Sequence, residues 1–185
     1  MMDSSVRDLL RAEMGTENVV QGEPMAKHTS FRVGGPAEWL IRVDDVEALV
    51  RALDVARHVG MPARVVGGGS NILVSDAGIE GMVILNRASE YKLFEEPEGF
   101  LLVTASGASL PRLAGEVAKR GAAGLEWGVG VPGTVGGAVV QNAGAWGSEI
   151  KDRLFSVELL TRDGKLKQVE TGELKLRYRG SAILD

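Results

Sequence analysis

The chain of 185 residues has no cysteine, only two histidines and few aromatic residues, which make up 5% of the sequence. The lack of cysteine excludes disulfides, thiolate zinc sites, iron–sulfur clusters and cysteine nucleophiles. His28 and His58 are too few for a histidine-rich metal centre, so we expect no metal. No apolar run approaches the roughly 18 residues of a membrane span, and the charged N-terminal segment lacks the apolar core of a signal peptide. We therefore expect a soluble, cytoplasmic protein.

The charge balance points away from nucleic acids. Twenty-one basic and 25 acidic residues give a net charge of −4, without the basic excess that binding to phosphate backbones requires. The hydrophobic fraction of 44% and the charged fraction of 25% are ordinary for a globular protein. The length fits one generous domain or two small subdomains.

Glycine, in contrast, is abundant and clustered. Of 25 glycines, five lie within residues 67–81 and nine within residues 121–147. Clusters of this kind indicate backbone with positive φ or backbone pressed close against another group.

The apolar spacing in the first half of the chain predicts a short helix over residues 4–14, an extended segment over 19–32 and then a β-α-β unit. This unit comprises a strand at 37–43, a helix capped by Asp44 or Asp45, and a strand at 63–66. Two strands joined in this way are expected to form a parallel pair.

The second half alternates less regularly. Apolar runs predict strands at 72–74, 82–85 and 100–105, and the acidic segment 90–99 is interpreted as a solvated hairpin connection. Ser109 is expected to cap a helix that ends before Gly121. An Asp-Gly turn joins predicted strands at 154–160 and 165–170. Together these patterns predict an α+β fold with two lobes, residues 1–88 and 89–185.

The first glycine cluster follows a predicted buried strand directly, with the sequence GGGSN over residues 67–71. Such a loop can direct several backbone N–H groups at a phosphate without using lysine. The absence of a following Gly-Lys-Ser/Thr excludes a Walker loop. A tight turn between strands is the structural alternative.

The second cluster contains a G-x-G-x-x-G pattern at Gly128, Gly130 and Gly133. A Rossmann nucleotide site requires a preceding buried strand, whereas the residues before Gly128 are a poor strand and Pro132 interrupts the turn. We instead predict a loop that leads into a helix near Thr134. Trp127 and Trp146 flank this block, and we expect them to pack in the core, with stacking on a bound cofactor as the alternative. Two glycine loops in different lobes suggest one extended ligand, for which a dinucleotide has the natural length.

Four segments identify a resemblance when they are taken in order. They are HTSFRVGGPA at 28–37, VVGGGSNILVSDAGIEGMVI at 65–84, GLEWGVGVPGTVGGAVVQNAGAWGSEI at 124–150 and YRGS at 178–181. Together they resemble the UDP-N-acetylenolpyruvoylglucosamine reductase family, flavoenzymes that make UDP-N-acetylmuramate for bacterial peptidoglycan. The resemblance implies a two-lobed FAD-binding fold of the p-cresol methylhydroxylase type.

It also implies non-covalent FAD, with NADPH as the hydride donor to the flavin and UDP-N-acetylenolpyruvoylglucosamine as the final acceptor. The pyrophosphate of FAD is assigned by similarity to Gly67, Gly68, Gly69, Ser70 and Asn71. The rest of the cofactor site is assigned to Gly130, Val131, Pro132, Gly133, Thr134, Gly136, Gly137, Ala138, Asn142, Ala143 and Gly144.

Arg179 is the residue to which the resemblance gives a catalytic role, and Tyr178 and Arg179 are assigned to substrate binding. A guanidinium is always charged and can bind the enolpyruvyl carboxylate in a fork while it stabilises charge that develops beside it. Without the motif, Arg179 would be interpreted as a surface residue of a basic run.

The family has a further C-terminal domain that supplies the proton donor and much of the uridine pocket, and the present sequence ends before it. Ser181 and Glu173 do not match the family's serine and glutamate. We therefore expect a chain that binds FAD but does not turn over alone. A non-catalytic flavin-binding module and another flavin oxidoreductase of the same fold remain as alternatives.

Overall fold

The computed structural model describes residues 2–184 and divides into two compact units, with the division between Ser89 and Glu90. None of the helices in this described range is long and apolar enough to cross a membrane. In the first unit the elements are α1 Met2–Met14, β1 Val19–Pro24, β2 Pro36–Val43, α2 Val46–His58, β3 Ala63–Val66 and β4 Ile79–Asn86.

The sheet of the first unit has the strand order β1-β2-β4-β3. Strand β1 is antiparallel to β2, and β4 is parallel to both β2 and β3. The predicted parallel direction of β2 and β3 is therefore confirmed, but the two strands are not neighbours, because β4 lies between them. Residues 82–85 of β4 are all apolar and buried, and such a continuous apolar run is expected at the centre of a parallel sheet.

Alternate side chains of these strands face two separate clusters. Trp39 and Ile41 pack with Met82, Ile84 and the buried faces of α1 and α2. Leu40, Val83 and Leu85 face the other way, toward Met25 and Val74. Residues 72–74 do not form the predicted strand, since Val74 packs as a single buried side chain within a loop.

Local signals explain the boundaries of α2. The Asp45 carboxylate accepts a hydrogen bond from the Ala48 N–H at 2.6 Å, as an N-cap aspartate should. The helix ends before Gly60, which has φ +67°, and Pro62 follows.

Within its described residues, the second unit contains two short α-helices, three hairpins and short 3₁₀ helices. Its elements are β5 Tyr91–Glu96, β6 Gly99–Thr104, α3 Leu110–Lys119, α4 Val135–Gln141, β7 Gly144–Ala145, β8 Ser148–Glu149, β9 Ser156–Leu160 and β10 Leu166–Glu170.

The pairing of β9 with β10 confirms the hairpin predicted from the Asp-Gly turn. The interpretation of residues 90–99 as a mere connection is wrong, because β5 pairs with β6 over its whole length. Tyr91 and Leu93 alternate inward from β5 onto α3 despite the acidic residues that follow them. Ser109 precedes α3 as predicted, but its side chain makes no capping hydrogen bond.

Candidate cofactor and substrate site

The first glycine loop, residues 67–71, leaves β3 at the edge of the sheet where the parallel strands β2, β3 and β4 end. Ligands of open parallel sheets bind at this carboxyl edge. Gly69 has φ +65°, and a side chain there would overlap the carbonyl oxygen of His28. The Ser30 N–H donates to the Gly69 carbonyl at 3.0 Å. Gly69 is thus a packing position that fixes the loop against residues 28–30.

The remaining positions of this loop have different surroundings. Gly68 and Asn71 are exposed, Gly67 and Ser70 are half-buried, and Gly69 is buried. The exposed backbone therefore centres on Gly68, in a loop of small and polar residues with no carboxylate. This arrangement fits a pyrophosphate, because the phosphate groups can reach the backbone and the loop has no carboxylate to repel them.

His28 has a structural role next to this loop. Its Nε2 lies 3.0 Å from Oε1 of Glu23, and Lys27 donates to the other oxygen of the same carboxylate at 3.2 Å. The hydrogen bond with His28, followed by that with Lys27, holds the pKa of Glu23 below its ordinary value. The His28 carbonyl is the group that packs against Gly69. The hydrogen bonds of His28 with Glu23 therefore help to hold the glycine loop in place.

In the second unit, the predicted helix near Thr134 is present as α4, and Thr134 caps it through a 3.4 Å hydrogen bond from the Gly137 N–H. The N–H groups of Val135 and Gly136 donate to the carbonyls of Ala108 and Ser106. Because these N–H groups already donate hydrogen bonds within the chain, they are not free to bind a ligand. The start of α4 can instead let a ligand come close to its glycine backbone.

The predicted cofactor residues of this block fall into three groups by exposure. Gly130, Pro132, Gly137 and Gly144 are exposed; Val131, Gly133, Gly136 and Ala143 are half-buried; Thr134, Ala138 and Asn142 are buried. The exposed group offers a ligand direct contact with backbone. The buried group holds the block in place.

Asn142 is the most highly bonded residue of this group. It ends α4 in the left-handed conformation, with φ +44°. Its amide nitrogen donates to Glu149 Oε2 at 3.0 Å and to the Arg177 carbonyl at 3.2 Å, and its oxygen accepts from the Lys151 N–H at 3.1 Å. Both of its N–H donors and one of the two acceptor positions of its oxygen are used inside the unit, so the side chain acts as a structural junction.

The segment that carries Tyr178 and Arg179 is a tight turn. Arg177 and Gly180 exchange two backbone hydrogen bonds of 3.0 and 3.1 Å, and Arg179 has φ +57°. The hydroxyl of Ser181 donates to the Val140 carbonyl of α4 at 2.8 Å. Both ends of the turn are therefore fastened to the end of α4, while Tyr178 remains 83% exposed.

Arg179 lies over the ring of Tyr178, with 5.7 Å between the guanidinium carbon and the ring centroid. Among the ion pairs found in residues 2–184, none involves Arg179. Its positive charge is therefore available to an anionic ligand.

A pocket of about 380 Å³ brings several of these residues together. Four predicted site residues line it, namely Asn142, Gly144, Tyr178 and Arg179. It is also lined by polar residues that the sequence analysis missed, namely Ser148, Glu149, Lys151 and Asp152. The available signal was the spacing Glu149-x-x-Asp152, a capping box that the structure confirms at the short 3₁₀ helix Ile150–Asp152.

The missed charges form a pair within the pocket. Lys151 Nζ lies 2.6 Å from Glu149 Oε2. The hydrogen bond from Lys151, followed by that from Asn142, lowers the pKa of Glu149, and the same Lys151–Glu149 hydrogen bond raises the pKa of Lys151. Lys151 is thus neutralised locally, which leaves Arg179 as the cation of this pocket without a carboxylate partner in the described residues.

The two tryptophans of this block differ. Trp127 is buried in the core of the second unit, as predicted. The prediction that Trp146 packs in the core is wrong, because this side chain is 81% exposed. It occupies the tip of the β7–β8 hairpin, and a hairpin tip offers no core to pack against.

The chain is similar to known flavin-binding proteins. The FAD binding domain family model matches residues 37–170. The UDP-N-acetylenolpyruvoylglucosamine reductase of Gloeobacter violaceus is 48% identical over 162 residues, which are 88% of this chain and 54% of that protein. The reductase of the same name from Lachnoclostridium phytofermentans is 36% identical over 184 residues, or 98% of this chain and 59% of that protein.

Solved structures of similar fold include another reductase of this name. The UDP-N-acetylenolpyruvylglucosamine reductase (MurB) of Thermus caldophilus matches with a TM-score of 0.69 and 36% identity, covering 88% of this chain and 55% of that chain. A p-cresol methylhydroxylase matches with a TM-score of 0.66 at 14% identity, covering 92% of this chain and 36% of that one. The second match concerns the fold alone, and it confirms the predicted fold type. The chain spans little more than half the length of the reductases it matches.

Proposed function

The chain belongs to the FAD binding domain family, and we propose that it serves as the FAD-binding portion of a UDP-N-acetylenolpyruvoylglucosamine reductase. The observation that carries the proposal is the exposed Tyr178–Arg179 turn on the wall of the 380 Å³ pocket, in a chain 48% identical to such a reductase. The alternative of another flavin oxidoreductase of the same fold is not favoured, because p-cresol methylhydroxylase is only 14% identical.

The proposed contacts with FAD differ between the two glycine blocks. The 67–71 loop receives the pyrophosphate at the exposed backbone of Gly68, beside the polar side chains of Ser70 and Asn71. In the second unit the exposed backbone of Gly130, Gly137 and Gly144 permits close approach of a flat ring. The buried residues Thr134, Ala138 and Asn142 hold that backbone in position.

Arg179 is proposed to bind the carboxylate of the enolpyruvyl group. A guanidinium combines a positive charge with two parallel N–H donors that match the two oxygens of a carboxylate. It also stabilises negative charge that develops next to that carboxylate as the double bond is reduced. The bound FAD would supply the redox chemistry, with NADPH as the proposed source of hydride.

The whole reaction requires more than the described chain provides. This chain spans only 54% and 59% of the length of the two relatives. By resemblance, their additional C-terminal domain supplies the proton donor and most of the uridine pocket. We therefore propose that this chain works in the bacterial cytoplasm together with such a domain, on UDP-N-acetylenolpyruvoylglucosamine and NADPH.

The experiment joins this chain to the C-terminal portion of the Gloeobacter violaceus reductase. We expect the joined protein, with FAD and NADPH, to form UDP-N-acetylmuramate, detected by mass spectrometry. The 185-residue chain alone and the joined Arg179→Ala variant should form little or none. A joined protein that oxidises NADPH through FAD but leaves the substrate unchanged would contradict the reductase assignment.

A further inference from the structure

Trp146 occupies a backbone position that does not suit its side chain. Strands β7 and β8 are joined by a two-residue loop, Trp146–Gly147, with φ of +52° and +83°. Positive φ at both central residues is the type I′ turn, for which Asn-Gly is the preferred sequence. A bulky residue with positive φ is an outlier, and such outliers concentrate at functional sites.

The side chain also lies in an unusual environment. Trp146 is 81% exposed, whereas Trp39 and Trp127 are 1% and 5% exposed. The edge of its six-membered ring rests on Gly130, where a Cβ would lie only 2.7 Å from the ring. Gly130 belongs to the glycine block that the resemblance assigns to the cofactor. The indole is therefore held at this block with most of its surface free.

The position of Trp146 connects two parts of the candidate site. Its sequence neighbours Ala145 and Gly147 line the same pocket as Arg179, and its ring touches the loop that leads to α4. A rigid aromatic with a free surface at such a place can stack on a planar ring at little entropic cost, because the turn and the Gly130 contact already limit its motion.

We infer that Trp146 is a stacking platform for a planar heteroaromatic ring of the bound ligand. The inference rests on the proposed function, under which this ring is the isoalloxazine or the adenine of FAD. Replacing an aromatic that stacks on a nucleotide base weakens binding by about tenfold or more. Trp146 would thus contribute affinity for the cofactor. The stability lost by having tryptophan at positive φ in this turn would be the consequence of positioning its ring at the site.

The test uses a substitution whose effects on stability and on binding should have opposite signs. Trp146→Asn creates the preferred Asn-Gly turn, so we expect a higher thermal midpoint for the 185-residue chain. We expect the same variant to bind FAD about tenfold or more weakly, whereas Trp146→Phe, which keeps a stacking ring, should stay within about threefold of wild type. A role in the turn alone would not weaken binding in a more stable variant.

Phe155→Asn is the matched control, since Phe155 is another exposed aromatic of the same unit, at 69%, and does not line the pocket. Its affinity for FAD should be unchanged. Because Trp146 is the exposed tryptophan of the three, FAD should quench tryptophan emission in wild type and much less in Trp146→Phe. If flavin emission is stronger in bound Trp146→Asn than in bound wild type, the stacked ring is the isoalloxazine; weaker binding with unchanged flavin emission identifies the adenine.

The two proposals fail in different ways. If wild type binds FAD and Trp146→Asn binds it equally well, the stacking role is wrong and the proposed function stands. If folded wild type binds no FAD, the proposed function itself is contradicted.

Discussion

The side-chain amide of Asn142 donates to the backbone carbonyl of Arg177 at 3.2 Å and so joins the end of α4 to the turn that holds Arg179. The same carbonyl accepts the N–H of Gly180 within the turn. The resemblance assigns Asn142 to the cofactor, and its hydrogen bonds also tie together residues of the pocket wall. The end of α4, which the proposal places at the cofactor, and the turn that carries Arg179 are thus joined by hydrogen bonds in the second unit.

The first prediction concerns this junction. Asn142→Ala removes three hydrogen bonds and places alanine at φ +44°, so we expect the free energy of unfolding to fall by about 2 kcal/mol or more. Asn142→Gly removes the same bonds but tolerates the backbone, and should lose less. Denaturant unfolding of both variants measures the two contributions. Wild-type stability in Asn142→Gly would show that the side-chain bonds contribute nothing.

The second prediction separates two neighbouring glycines of the first loop. Gly69→Ala should destabilise the chain by about 2 kcal/mol or more, because the position has positive φ and a side chain would overlap the His28 carbonyl. Gly68→Val, at the exposed position, should leave unfolding cooperative but abolish retention of FAD. Thermal unfolding and FAD retention after gel filtration distinguish the two effects. Equal FAD affinity in Gly68→Val would refute the pyrophosphate assignment.

The third prediction concerns acid stability through Glu23. Its pKa is lowered in the folded chain, chiefly by the hydrogen bond with His28, relative to an ordinary value of 4.5. A carboxylate with a lowered folded pKa adds stability above its unfolded pKa and loses that contribution as the pH falls through its folded pKa. The difference in unfolding free energy between wild type and Glu23→Gln should therefore be full above about pH 4.5 and vanish at lower pH. Denaturant unfolding across this range measures it, and a difference that does not change with pH would contradict the Glu23–His28 coupling.

The fourth prediction assigns Arg179 to the substrate step. In a protein joined to a substrate domain, Arg179→Lys keeps the charge but loses the planar fork, so reduction of the substrate should slow by about tenfold or more. Reduction of the flavin by NADPH should be unchanged. Stopped-flow absorbance resolves the two half-reactions separately, and Lys175→Arg, a change in the same basic run, serves as the control. A variant as fast as wild type in both would remove Arg179 from the mechanism.

The sequence predicts those parts of the fold that local signals determine. The cap of α2 at Asp45, one of the two candidates, the Asp-Gly hairpin and the helix near Thr134 all lie where the pattern places them. The position of β4 between β2 and β3 is not predictable in this way, because strand neighbours depend on long-range pairing. The acidic strand β5 was missed for a similar reason, since its partner β6 and the cover by α3 outweigh its composition.

The candidate site shows the same division. Motifs identified Tyr178, Arg179 and the glycine backbone, but the roles of buried residues become visible only through their contacts. Asn142 is a junction because three bonds converge on it, and Gly69 leaves no room for a side chain because the His28 carbonyl lies against it. Trp146 is exposed because a hairpin tip carries it outward, which an apolar residue type alone does not reveal.

The most direct test of the account is FAD binding by the purified chain. The protein is incubated with FAD, freed of unbound cofactor by gel filtration and examined by visible absorption, with Gly68→Val in parallel. The account predicts that wild type retains a stoichiometric amount of flavin and that Gly68→Val, equally well folded, retains none. A cooperatively folded wild-type chain that retains no flavin would contradict it.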